Sequence, residues 1–117
     1  MGFKFENLEV WKKALNLGLH IHGLTGSFPK EEIYILTPQI KRAADSIALN
    51  IAEGSTGQTN PEFKVFLGYA VRSAIEVVSC LHIGKKRKII KEENFLELYA
   101  ETETIVKMLQ ALRRSLH

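Results

Sequence analysis

Two pairs of potential metal ligands stand out in the sequence, His20 with His22 and Cys80 with His82. The members of each pair are two residues apart, so on a helix their side chains point about 200° apart and cannot converge on one ion. The sequence also has no Glu-x-x-His motif of the kind that di-iron bundles use. We therefore predict that the protein binds no metal ion and no cofactor.

Motifs of the commoner enzyme classes are missing as well. No Gly-x-x-x-x-Gly-Lys-Ser/Thr loop is present, and no histidine follows an arginine at the spacing that some small helical RNases use. Gly54-Ser-Thr-Gly57 matches the Gly-x-x-Gly loop of KH domains, but that fold needs a three-stranded sheet, so we interpret the segment as an ordinary loop. We predict that the protein is not an enzyme and has no small-molecule substrate.

Positive charge is concentrated in one part of the chain. Residues 61–91 carry seven basic and two acidic side chains, whereas residues 92–117 carry three basic and five acidic ones. The basic run could bind phosphates of RNA or DNA, and five such contacts predict a slope of log affinity against log salt of about −4.5 on duplex DNA. Alternatively, it is a solvated helix end whose cations complement the helix dipole. The run consists of Lys85, Lys86, Arg87, Lys88 and Lys91. Secondary candidates for phosphate binding, outside the run, are Lys41, Arg42, Lys64 and Arg72.

A polar cluster of three residues is a second hypothesis. Glu53 falls in the last turn of a predicted helix, where the helix dipole disfavours an anion unless a cation compensates. Arg72 on the next helix could supply that cation, and Glu76 lies one turn after Arg72. We predict a structural cluster of Glu53, Arg72 and Glu76, with a solvated Glu53 as the alternative.

Four helices, over about residues 7–25, 38–53, 61–86 and 92–115, would position these groups. Each shows apolar residues at three- and four-residue steps. In the first helix we expect the core-facing stripe to contain Leu8, Trp11, Leu15, Gly18 or Leu19, and His22. In the second helix we expect an alanine-rich stripe of Ile40, Ala43, Ala44, Ile47, Ala48 and Ile51. Turn and cap residues mark the ends: Asn7 as a cap, Thr37-Pro38 and Asn60-Pro61 as helix starts, and Gly54 as a stop before a polar loop over residues 54–60.

Length and composition agree with this pattern. The chain has 117 residues, of which 45% are hydrophobic and 25% charged, so we predict one domain over residues 1–117 that folds as an all-α, antiparallel up-down-up-down four-helix bundle. The single cysteine and the lack of an apolar leader favour a cytoplasmic protein, and we expect no membrane insertion. Apolar stripes left uncovered by such a bundle favour self-association.

Several segments resemble a known family. These are Phe5-Glu-Asn-Leu-Glu-Val-Trp-Lys-Lys-Ala14, Phe28-Pro-Lys-Glu-Glu32, and the segment from Gln39 to Asn50-Ile-Ala-Glu-Gly54, followed by Glu62-Phe63. They are similar to the four-helix-bundle proteins encoded in intervening sequences of bacterial 23S ribosomal RNA genes. The resemblance implies an antiparallel bundle, often a homopentameric ring, with no established enzymatic activity. It also implies kinship with the accessory variability protein of diversity-generating retroelements, a basic pentamer that binds nucleic acid.

The residues and the resemblance together favour a non-enzymatic, homo-oligomeric bundle that binds RNA or DNA through a basic surface. The alternative is a protein-interaction adaptor that has no nucleic-acid role.

Overall fold

The computed structural model describes residues 2–57 and 59–117, and within these ranges the chain forms four α-helices and no β-strand. They are α1 (Glu9–Thr25), α2 (Leu36–Ser55), α3 (Asn60–Lys86) and α4 (Glu92–Ser115), with short 3-10 helices at Lys4–Asn7 and Lys30–Glu32. Each helix packs on the next and α4 packs on α1, in a molecule of 44 × 22 × 21 Å. The prediction of an all-α, antiparallel up-down-up-down bundle is confirmed.

The α2–α3 pair forms the centre of the bundle. The apolar stripe predicted for α2 is buried throughout, and its small alanine side chains allow α2 and α3 to pack closely. Across this contact the Ser46 hydroxyl donates a 2.6 Å hydrogen bond to the Ser73 hydroxyl. Gly54 lies in the same contact, because a Cβ atom built on it would be 2.5 Å from the Cβ of Phe66. Gly54 therefore serves close helix packing.

The prediction of which face of α1 is buried in the core is wrong. The helix buries Val10, Ala14, Leu17 and Ile21, together with Gly18, which was part of the prediction. Leu15, Leu19 and His22 are exposed, while Leu8 and Trp11 are half-buried at the edge of the core. Helix α1 is apolar on two faces, and a 3.6-residue period does not tell which of the two a neighbouring helix will cover. The second apolar face of α1 is therefore left exposed on the surface of the bundle.

Helix ends also differ from the predicted ones. Asn7 belongs to the first 3-10 helix, and Leu8 precedes α1 without a side-chain cap. Helix α2 begins at Leu36, before Thr37, because the backbone N–H of Leu36 donates to a carboxylate oxygen of Glu32.

The segment between α2 and α3 is shorter than the predicted polar loop. Helix α2 continues past Gly54 to Ser55, and α3 begins at Asn60. Thr59 caps α3 by accepting the N–H of Glu62, which places the cap one residue before Asn60. Of the residues between the two helices, Gln58 lies outside the described part of the chain.

Helix α3 is also long and apolar enough, by length and composition alone, to cross a membrane, and it is the one such helix in the part of the chain that the structure describes. Its alanine face is buried against α2 and α4, as in the core helix of a bundle. Arg72 and Glu76 lie at its middle, where a bilayer would disfavour charge.

Candidate nucleic-acid interface

The basic run lies where α3 ends and turns into α4. Lys88 adopts a left-handed conformation with φ of 64°, and it is the one non-glycine residue with positive φ in the described ranges. The N–H of Lys88 donates to the carbonyl of Lys85, and the N–H of Ile89 donates to the carbonyl of Gly84. These two bonds are those of a Schellman motif, in which glycine normally occupies the left-handed position. A lysine therefore stands where the backbone favours glycine.

Two of the five basic side chains contribute to the fold. The ammonium group of Lys85 lies 3.0 Å from a Glu92 carboxylate oxygen and 4.4 Å from the centroid of the Phe95 ring. Arg87 donates from Nη1 to both carboxylate oxygens of Glu32, at 3.0 and 3.1 Å. The Glu32 side chain is almost buried, so this pair ties the end of α3 to the 3-10 helix at Lys30–Glu32. Lys85 and Arg87 are thus partly neutralised.

The other three cations, Lys86, Lys88 and Lys91, are exposed, and none of them forms an ion pair with any residue in 2–57 or 59–117. We call these three residues the basic corner. Lys86 and Lys88 line an open depression of about 400 Å³ together with His82 and Lys85. The charge of the corner is thus directed to solvent, where a phosphate could approach.

The secondary candidates do not join this corner. Lys41 and Arg42 lie on α2, half-buried and exposed respectively, and Lys64 and Arg72 lie on α3. Arg72 lines a second depression, between α3 and α4, with Arg113. Arg113 was not among the predicted site residues, because its sequence position near the end of α4 is equally explained by the helix dipole.

The predicted polar cluster is not assembled. Glu76 accepts a 3.0 Å hydrogen bond from the side-chain amide of Gln39. Neither Glu53 nor Arg72 takes part in an ion pair among the residues that the structure describes, and both are exposed. Arg72 is therefore available to a ligand.

The histidines of α1 face different neighbours, as their spacing predicts. His20 Nδ1 lies 2.9 Å from Glu101 of α4, and His22 Nε2 lies 3.5 Å from Asp45 of α2. Among the described side chains, no group of three or more His, Cys, Asp and Glu residues is placed to hold a metal ion. Cys80 is buried, and both this burial and the charge of Glu76 raise the pKa of its thiol. A high pKa disfavours the reactive thiolate.

An apolar groove runs between α1 and α2 on the opposite side of the bundle from the α3–α4 depression. Its most exposed side chains are Leu19 and Leu49, at 69% and 63%. The groove has a volume of about 710 Å³ and is lined by Phe5, Trp11, Ala14, Leu15, Gly18, Leu19, His22, Asp45, Ala48, Leu49 and Ala52. A second apolar surface is the turn of Ile33, Tyr34 and Ile35, in which Tyr34 is 92% exposed. We call it the 33–35 tip.

Fold and surface together define an antiparallel helical bundle whose notable features are outward-facing charge and apolar surface. Comparison with known proteins places the chain within a family. The family model described as "23S rRNA-intervening sequence protein" matches residues 6–111, and the chain belongs to this family. The resemblance inferred from the sequence is thereby confirmed.

Solved structures share this fold, and one of them illustrates the match. It is a crystal structure, at 1.70 Å resolution, of a protein of unknown function from the S23 ribosomal protein family of Bacteroides thetaiotaomicron VPI-5482. The two chains are 22% identical, and the match covers 89% of this chain and 97% of the other with a TM-score of 0.80. No curated protein matches the sequence.

Proposed function

We propose that the protein is a non-enzymatic, cytoplasmic, homo-oligomeric bundle that binds RNA or DNA phosphates through its basic corner. The observation that carries the proposal is the unneutralised charge of Lys86, Lys88 and Lys91, of which Lys86 and Lys88 line an open depression. Lys88 strengthens it, because a left-handed lysine costs free energy that a glycine would not. Residues held in unfavourable backbone conformations are found preferentially at functional sites.

The basic corner offers three phosphate contacts, whereas the whole basic run offered five, so a weaker salt dependence is expected. The slope of log affinity against log salt is then about −2.7 on duplex DNA and about −2.1 on a single strand. These contacts carry no sequence information, so binding through the corner should depend little on base sequence.

A charge reversal tests the corner. We expect K86E/K88E/K91E to abolish binding of a labelled RNA or DNA at 50 mM salt in fluorescence anisotropy. The matched control is K12E/K13E/K107E, which makes the same change in net charge at three exposed lysines away from the corner. Equal loss in both variants would show that net charge alone causes binding, and undiminished binding by the corner variant would refute the proposal.

Self-association is the second part of the proposal, with a second copy of the chain as the occupant of the α1–α2 groove. Each chain carries two different apolar surfaces, the groove and the 33–35 tip. Contacts between two different surfaces of identical chains are heterologous, and they close into rings when the rotation allows. A pentamer is the size that the family resemblance favours.

Charge substitutions in the groove test this assembly. We expect sedimentation of the wild type to give a mass several times 13.2 kDa. L19E/L49E should give a smaller particle, because it places carboxylates in an apolar contact. L96E, at an exposed leucine of α4 outside the groove, should leave the mass unchanged. A monomeric wild type that binds no nucleic acid would refute the proposal and favour the adaptor function.

A further inference from the structure

A shallow depression on the α3–α4 face has the composition of an anion site. It has a volume of about 350 Å³ and is lined by Val65, Gly68, Tyr69, Val71, Arg72 and Arg113. Its two charged residues are both arginines, and its lining contains no carboxylate. The local field is therefore positive, and guanidinium groups are suited to phosphate because they donate several hydrogen bonds in one plane. We call this depression the arginine pocket.

Arg113 is held against α3 with its charge unneutralised. Gly68 leaves room for it, since a Cβ built there would already contact Nη2 at 3.5 Å. Nη1 donates to the side-chain oxygen of Gln110 at 3.0 Å, whereas Nε is buried and has no acceptor. Of the carboxylates in 2–57 and 59–117, none pairs with Arg113. A half-buried cation in this state is stabilised by an added anion.

Arg72 and Tyr69 stand on the same face of α3, three residues apart, so their side chains are neighbours. Tyr69 is 44% exposed, and its ring is fixed by an edge-on contact with Phe66 at a centroid distance of 5.6 Å. An exposed aromatic ring beside two cations can take the flat face of a nucleic-acid base while the cations take its phosphate.

We infer that the arginine pocket binds one nucleotide unit, with its phosphate between Arg72 and Arg113 and its base against Tyr69. The nucleotide can come from a single strand or from a free mononucleotide, and both present the same phosphate and base. The inference rests on the proposed nucleic-acid binding only for the single-strand source. It adds a stacking contact and a second surface, separate from the basic corner.

Binding of three probes measures the pocket: inorganic phosphate, uridine monophosphate and a ten-nucleotide oligouridine. We expect R72Q and R113Q each to weaken binding of the mononucleotide at least tenfold. R114Q, at the exposed neighbour of Arg113 that does not line the pocket, should bind like the wild type. Y69L should weaken mononucleotide binding and leave phosphate binding unchanged, whereas Y69F should retain both. Thermal melting of every variant identifies any loss of folding, and R113K provides a variant that keeps the charge.

The outcomes separate this inference from the proposed function. Mononucleotide binding that depends on Arg113, without oligouridine binding, supports the pocket with a free nucleotide as its ligand and contradicts binding of single-stranded nucleic acid. If R72Q and R113Q leave the binding of both the mononucleotide and oligouridine unchanged, the pocket is overturned; if K86E/K88E/K91E also abolishes oligouridine binding, the basic corner is supported. Failure of the wild type to bind any of the three probes overturns the inference.

Discussion

Replacement of Lys88 by glycine should make the protein more stable and a weaker binder of nucleic acid. Lys88 has φ of 64° in the Schellman motif that ends α3. A residue with a Cβ atom in this conformation destabilises the folded state by about 1–2 kcal/mol, and glycine removes this strain. Glycine is also more flexible in the unfolded chain, which offsets about 0.5–1 kcal/mol of the stabilisation. K88G should therefore raise the free energy of unfolding by about 1 kcal/mol, which for a chain of this length raises the Tm by about 4 °C.

The binding effect has a different cause. Loss of one phosphate contact should lower the salt slope by about 0.7 on a single strand and about 0.9 on duplex DNA. K88A is the matched variant, because it removes the charge and keeps the Cβ atom. We expect K88A to lose the same binding as K88G without gaining stability.

Urea denaturation and fluorescence anisotropy at several salt concentrations measure both effects. If K88G were no more stable than K88A, the assignment of backbone strain to Lys88 would be wrong. If both variants bound like the wild type, Lys88 would not contact phosphate.

Three further predictions concern the fold. Gly54→Ala should lower the free energy of unfolding, measured in urea, by about 1–3 kcal/mol, because the added Cβ would clash with Phe66. The control is Gly23→Ala, whose added Cβ would have no atom within 4 Å and which should be neutral or stabilising. Glu32→Gln should cost about 1 kcal/mol by loss of the partly exposed pair with Arg87, and Glu31→Gln on the same turn should cost nothing measurable; equal effects would contradict the pair's role. Cys80 should react with a thiol reagent at pH 8 far more slowly in the folded protein than in guanidinium, since burial raises its thiol pKa; comparable rates would contradict this burial.

The sequence predicts the bundle well because each helix has an apolar face of the correct period. On α2 every residue of the predicted stripe is buried, from Ile40 to Ile51. Helix α1 has two apolar faces, and the positions of α2 and α4 determine which of them is buried. Local periodicity carries no information about those positions. The same ambiguity explains why the α1–α2 groove could not be predicted.

The charged sites were predictable only in part. A basic run is visible in the sequence, but the pairing of Arg87 with Glu32 joins residues 55 positions apart, and only the fold shows it. Arg113 and Gly68 are likewise distant in sequence and meet only when α3 and α4 pack. The left-handed backbone of Lys88 could not be predicted either, because the usual sequence signal for this conformation at a helix end is a glycine.

Light scattering of the purified protein, with and without a short RNA, measures self-association and nucleic-acid binding in one experiment. We expect a mass several times 13.2 kDa for the protein alone and a further increase when RNA is added at low salt, reversed by added salt. A mass of one chain that RNA leaves unchanged at 50 mM salt would contradict both self-association and nucleic-acid binding.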